Sequence, residues 1–144
     1  MKIIYGLDYQ NSIVNMQEEF HYSDDRDERV KETGEVFTPD SLVQKMLDSL
    51  GIDWSNPPQD KTFLDPTMGS GNFLTALAKR GIPLHNIYGV DLMPDNVETT
   101  RKRLLEICGD TETNRNTLHI NIIQGDALKY DYDFGESEAY MDEW

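Results

Sequence analysis

The sequence predicts an α/β fold of three layers built around a parallel sheet. Short apolar runs that each end in an acid, "TFLD", "NIYGVD" and "LHINIIQGD", alternate with stretches of helical length and periodicity. Strands alternating with helices of this length imply crossover connections, and crossovers imply parallel strands with helices packed on the sheet. A further observation says where a ligand belongs. In such sheets the binding crevice lies beyond the carboxyl ends of the strands, and Asp65, Asp91 and Asp126 stand at the ends of the three runs.

Residues 1–32 read as a peripheral segment, in which "YSDDRDERVKE" is a solvated charge run lacking the glycine and final Glu of a calcium loop. "TPDSLVQKMLDSLG" opens the first helix, with Thr38 as its cap, Pro39 at the first helical position and Gly51 at its C-terminal stop. Leu42, Val43, Met46, Leu47 and Leu50 recur at helical spacing and make its core face. After a polar loop, "TFLD" is a short buried strand, the two glycines form a turn, and "NFLTALAKRG" is a helix closed by Gly81. "NIYGVD" is the second strand. "PDNVETTRKRLLEICG" is the next helix, with Pro94 near its start and Gly109 past its end, and "LHINIIQGD" is the third strand. The domain proper spans residues 33–128, and residues 129–144, "KYDYDFGESEAYMDEW", are an acidic aromatic tail, either disordered or a surface lid.

A chain of 144 residues with 38% hydrophobic content is long enough for one domain with a real core. It has no apolar run of bilayer length and no basic-then-apolar leader, so a cytoplasmic location is expected. Cys108 stands alone, which excludes an intrachain disulfide and suggests a buried helix thiol. His21, His85 and His119 are scattered without ligand spacing, and no structural metal is expected. The net charge of -14 argues against a nucleic-acid binder acting through its whole surface, since phosphate contacts need Lys and Arg. The single basic cluster, Arg101 to Arg103, reads as a solvated helix face in which Glu98 can pair with Lys102.

The chemistry centres on "FLDPTMGSGNFL". Gly69 and Gly71 let the backbone approach a ligand, and Asp91 lies at about the spacing at which an acid receives ribose hydroxyls. Leu74 replaces the third glycine of a dinucleotide fingerprint, and no Lys-Ser/Thr pair makes a phosphate loop. An acid at the strand end also repels a pyrophosphate. A nucleoside without phosphates and with positive charge suits the site, and S-adenosylmethionine, with its sulfonium and ammonium groups, has that form.

"TGEVFTPDSLVQKML", "FLDPTMGSGNFL", "YGVDLMPDNVE" and "IIQGDAL" together resemble the N-terminal half of DNA N6-adenine methyltransferases whose motifs run X, I, II, III, such as the modification subunits of type I restriction systems. The resemblance covers about Thr33 to Leu128 and implies a Rossmann-like fold that binds S-adenosylmethionine. Carried over residue by residue, Phe37, Thr38 and Pro39 would cradle the methionine end of the cofactor. Asp65, Pro66, Gly69, Gly71, Asn72 and Phe73 would form the floor beneath it. Asp91 would hold the ribose hydroxyls and Asp126 the adenine amino group, with Leu92 and Ala127 against the adenine ring.

One part of the family pattern is missing. Methylation of an adenine amino group needs an acceptor for its hydrogens and an aromatic face to hold the flipped base. The family supplies both with an acid or amide, two prolines and an aromatic residue after a fourth strand, and nothing after Asp126 has that form. "NPPQ" at Asn56 to Gln59 precedes the glycine turn, follows no strand and ends in Gln59 where the aromatic belongs, so it reads as a loop and the catalytic residues stay unknown. The sheet is accordingly expected to be truncated, with "TFLD" on an open edge. "KIIYGL" at Lys2 to Leu7, the aromatic tail, a second copy of the chain or a partner subunit would cover it. Two functions follow: a DNA adenine-N6 methyltransferase type that needs another chain for catalysis and meets DNA through it, or a non-catalytic cofactor-binding protein with a regulatory or anti-restriction role exerted through its acidic surface.

Overall fold

The computed structural model describes residues 38–135. Phe37, the segment "KIIYGL" and the tail beyond Gly135 lie outside the described residues. Among the described residues, four helices and three strands follow in the order α1 (Asp40–Asp48), β1 (Phe63–Asp65), α2 (Asn72–Lys79), β2 (Ile87–Asp91), α3 (Pro94–Cys108), α4 (Glu112–Asn121) and β3 (Ile122–Gln124), with a 3₁₀ turn Leu84–Asn86 before β2. The sheet has the order β1-β2-β3 and every pairing is parallel. This is the α/β architecture with a parallel sheet that the alternation of elements predicts, and it is consistent with the truncated Rossmann-like fold that the resemblance implies.

Alternation of side chains along each strand sorts the sheet into two faces. Phe63, Ile87 and Ile122 join residues from all four helices, among them Leu47, Leu74, Leu77, Leu104 and Leu118, in the main core. Leu64, Val90, Tyr88 and Ile123 turn to the opposite face, where Tyr130, Tyr132 and Phe134 cover them. The Phe134 ring stands edge-on to Tyr88 at 4.7 Å, a geometry in which aromatic quadrupoles attract. The first part of the expected tail is therefore packed structure, laid over the face of the sheet.

Three details differ from the sequence reading. Thr38 does not cap α1: Pro39 occupies the cap position, without a side-chain bond, and its carbonyl accepts the Leu42 and Val43 N–H groups. The strand expected over "LHINIIQGD" begins only at Ile122, because residues 112–121 are helical. Thr111 caps that helix by accepting the Asn114 N–H, Leu118 is buried in the core, and the Asn121 side-chain amide donates to the carbonyls of His85 and Ile87. Cys108 is exposed rather than buried, since α3 has run past the core by its last residue.

Candidate functional site

Asp65 and Asp91 end β1 and β2 and, by strand alternation, turn toward the helix side of the sheet, where α2 and α3 begin. Between them runs the glycine turn. The Met68 N–H donates to the Val90 carbonyl at 3.1 Å, and the Gly71 N–H to the Met68 carbonyl at 2.9 Å, which closes the turn into α2. Gly71 has φ of 84° and caps α2. A Cβ there would stand 2.7 Å from the Thr100 side chain, so positive φ and close packing both demand glycine at this point. Thr100 is fully buried and its hydroxyl donates to the Gly69 carbonyl at 3.2 Å.

The two acids differ in how they are satisfied. Asp91 accepts the Gly69 N–H on Oδ2 at 2.8 Å, and on Oδ1 the Met93 N–H at 2.9 Å and the Asn96 amide at 3.1 Å. A carboxylate has about four acceptor positions, so about one remains, on Oδ2. Asp65 is only 3% exposed; its Oδ1 accepts the Thr67 N–H at 3.1 Å, and its Oδ2 has no hydrogen-bond partner. Burial pushes the Asp65 carboxyl up to about 6, the Thr67 N–H opposes that shift, and the Asp91 charge adds to it. A buried acceptor with a vacant lone pair costs folding free energy unless a donor arrives.

The remaining predicted residues fall around this pair. Thr38 and Pro39 are half-buried beside the start of α2, where the Asn72 amide donates to the Thr38 carbonyl at 2.9 Å. Pro66 is half-buried next to Asp65, and Phe73 is buried in the core rather than open to a ligand. Leu92 is 64% exposed just past Asp91. Asp126 does not end a strand: β3 stops at Gln124, and the bond from Gly125 N–H to the Asp91 carbonyl brings the following loop to the same rim. There Asp126 Oδ1 accepts the Leu128 N–H, and the Ala127 carbonyl accepts the Tyr132 hydroxyl. "NPPQ" lies at the other end of the sheet, where the Gln59 carbonyl accepts from Asn86 just ahead of β2 and the Gln59 amide reaches the Gly81 carbonyl.

Asn96, Thr100 and Arg103, all on α3, belong to the site although the sequence reading assigns none of them to it. The Arg103 guanidinium donates to the Ser70 carbonyl and to the Asn72 side-chain oxygen, each at 2.7 Å. Arg101 donates to the Ile122 carbonyl. Two members of the basic cluster thus hold backbone carbonyls, in place of the solvated face that the sequence suggests.

The model of the family described as N-6 DNA Methylase matches residues 16–139, most of the chain. The chain belongs to the N-6 DNA methylase family. Over 81 residues it is 41% identical to "Type II methyltransferase M.VspI" of Vibrio sp. (strain 343), a stretch that covers 56% of this chain and 19% of that protein. The chain therefore spans about a fifth of that relative's length, 19%. No solved structure matches it. In this chain the acids, the glycine turn and the Thr38–Pro39 segment converge at one end of the sheet, and no helix among the described residues is long and apolar enough to cross a membrane.

Proposed function

We propose that this protein binds S-adenosylmethionine at the carboxyl ends of β1 and β2 and serves as the cofactor-binding part of a DNA adenine-N6 methyltransferase. The observation that carries the reading is the unpartnered, buried Oδ2 of Asp65, set beside Asp91 beneath the glycine turn. Two carboxylates that act on each other at the ends of adjacent strands favour a cation, and the donor that Asp65 lacks is what an ammonium group supplies. The surroundings fit the group: a Cβ on Gly69 would meet nothing within 4 Å, so the turn is open on that side. When bound, the cofactor supplies an electrophilic methyl group on a sulfonium. The chain would hold its ribose hydroxyls at the free position on Asp91 and its adenine near Leu92, Asp126 and Ala127.

The acceptor for the adenine amino hydrogens comes, in this proposal, from outside these 144 residues, either on another chain or on further sequence. The same holds for DNA contacts, because Arg101 and Arg103 are engaged with backbone carbonyls and the net charge is -14. The outer edge of β1 has no partner strand among the described residues. A second copy or a partner subunit seated there is part of the proposal, since an unpaired apolar edge invites pairing.

Calorimetry tests the cofactor reading. S-adenosylmethionine and S-adenosylhomocysteine should bind, while NAD and ATP, whose phosphates meet the two acids, should not. An S-adenosylhomocysteine analogue without ribose hydroxyls should bind more weakly by about 1.5–3 kcal/mol, the range for hydrogen bonds to a charged group. Tight binding of NAD with none of S-adenosylhomocysteine would overturn the assignment.

A further inference from the structure

We infer that Arg103 is a positioning residue for the cofactor site, acting through Asn72 to hold the segment that begins at Thr38 against the glycine turn. The inference rests on the cofactor reading above and extends it to Arg103, which lies outside the matched motifs. Its basis is a continuous hydrogen-bonded chain. Arg103 Nη1 donates to the Ser70 carbonyl and to Asn72 Oδ1, both at 2.7 Å, and Asn72 Nδ2 donates to the Thr38 carbonyl at 2.9 Å. Three elements far apart in sequence, α3, the glycine turn and the residue two before α1, are fixed to one another by two side chains.

The chemistry of the link explains why these residue types are used. The Asn72 amide is both acceptor and donor, so it can receive Arg103 on one atom and pass a bond to Thr38 with the other. A charged donor makes the Arg103 bonds stronger than neutral ones and fixes which way the Asn72 amide faces. A second, neutral bond from the Thr100 hydroxyl to the Gly69 carbonyl, at 3.2 Å, also ties α3 to the turn. Thr100 and Arg103, one helical turn apart, thus clamp the carbonyls of the adjacent residues Gly69 and Ser70. Gly69 and Ser70 lie in the proposed floor of the site, and Thr38 in the proposed cradle for the methionine end. Arg103 therefore sets the gap between the two walls that would hold the amino-acid part of the ligand, and has no comparable link to the adenine side.

That asymmetry gives a test. Binding of S-adenosylhomocysteine and of 5′-methylthioadenosine, which lacks the amino-acid end, is measured for the wild-type chain, Arg103→Gln and Asn72→Asp. Asn72→Asp keeps an acceptor for Arg103 and removes the donor to Thr38, so it severs one bond at a helix N-terminus that tolerates an acid. In both variants S-adenosylhomocysteine should lose tenfold or more in affinity, while 5′-methylthioadenosine stays within twofold. Amide exchange should also quicken at Leu42 and Val43, whose N–H groups bond to the Pro39 carbonyl, and stay unchanged at Leu104 in the core. Equal losses for both ligands, or no loss for either, would overturn the inference. A wild-type chain that binds neither ligand overturns the cofactor reading instead, and the exchange at Leu42 and Val43 then decides alone whether the link holds α1 in place.

Discussion

Replacing Asp65 by Asn should make the protein more stable at neutral pH and worse at binding a cation. The carboxyl stands at about 6 where an ordinary one titrates at 3.8, chiefly because burial disfavours its charge. The native state therefore holds the Asp65 proton more tightly than the unfolded chain does. Stability from this group is greatest at acid pH, falls as pH rises between about 4 and 6, and stays lowered above that. The displacement from 3.8 to about 6 corresponds to about 3 kcal/mol, an upper figure for a structure that relaxes. Asparagine keeps an oxygen for the Thr67 N–H and removes a buried charge that Asp91 repels. Urea unfolding at pH 7.5 should accordingly show Asp65→Asn more stable by about 1–3 kcal/mol, and at pH 4 the two proteins should converge. The difference between variant and wild type is the quantity to follow, because the net charge of -14 makes the whole protein respond to acid. The same variant should bind S-adenosylhomocysteine more weakly at pH 7.5. A variant less stable than wild type by the same amount at both pH values would refute the reasoning, since it would mean that the carboxylate is satisfied in the native state.

Gly89→Ala should destabilise the fold by about 1–3 kcal/mol in the same unfolding assay, because a Cβ there would lie 2.4 Å from the Met68 sulfur and 2.6 Å from Leu74 in a packed core. Unchanged stability would mean that Met68 and Leu74 shift freely and that the turn above them is loosely held. At micromolar concentration light scattering should report a species larger than a monomer, formed through the outer edge of β1. A monomer in which the Leu64 amide still resists exchange would show that the edge is covered from within the chain.

How much of this was legible in the sequence depends on the range of the interaction involved. β1, β2 and the glycine turn are local events: an apolar run, an acid, and a residue that must take positive φ. They stand where the pattern "FLDPTMGSG" and the run "IYGVD" put them. The α4–β3 boundary failed because "LHINII" alternates like a strand while Thr111, seven residues upstream of Leu118, caps a helix that runs into it. The cap was written in the sequence as Thr followed three residues later by Asn. The outcome, however, turned on Leu118 reaching the core and on Asn121 finding the carbonyls of His85 and Ile87. Both are tertiary facts, and tertiary packing overrides local preference.

The same division separates the acids of the site from the groups that hold them. Asp65 and Asp91 announce themselves by ending apolar runs. The groups that set their properties do so only through the approach of α3, which places Asn96 on Asp91, Thr100 against Gly71 and Arg103 on the turn. On a helix, positions 96, 100 and 103 follow the spacing of one face, and that face also carries Val97 and Leu104 into the core. A reading of α3 as amphipathic would therefore sort Asn96 and Thr100 with its buried stripe, and their polarity is the signal: a buried amide and a buried hydroxyl need partners, and they find them in the Asp91 carboxylate and the Gly69 carbonyl of the glycine turn. Buried polar residues on an otherwise apolar helix face thus mark the helix that supports a ligand loop, even where no motif names it.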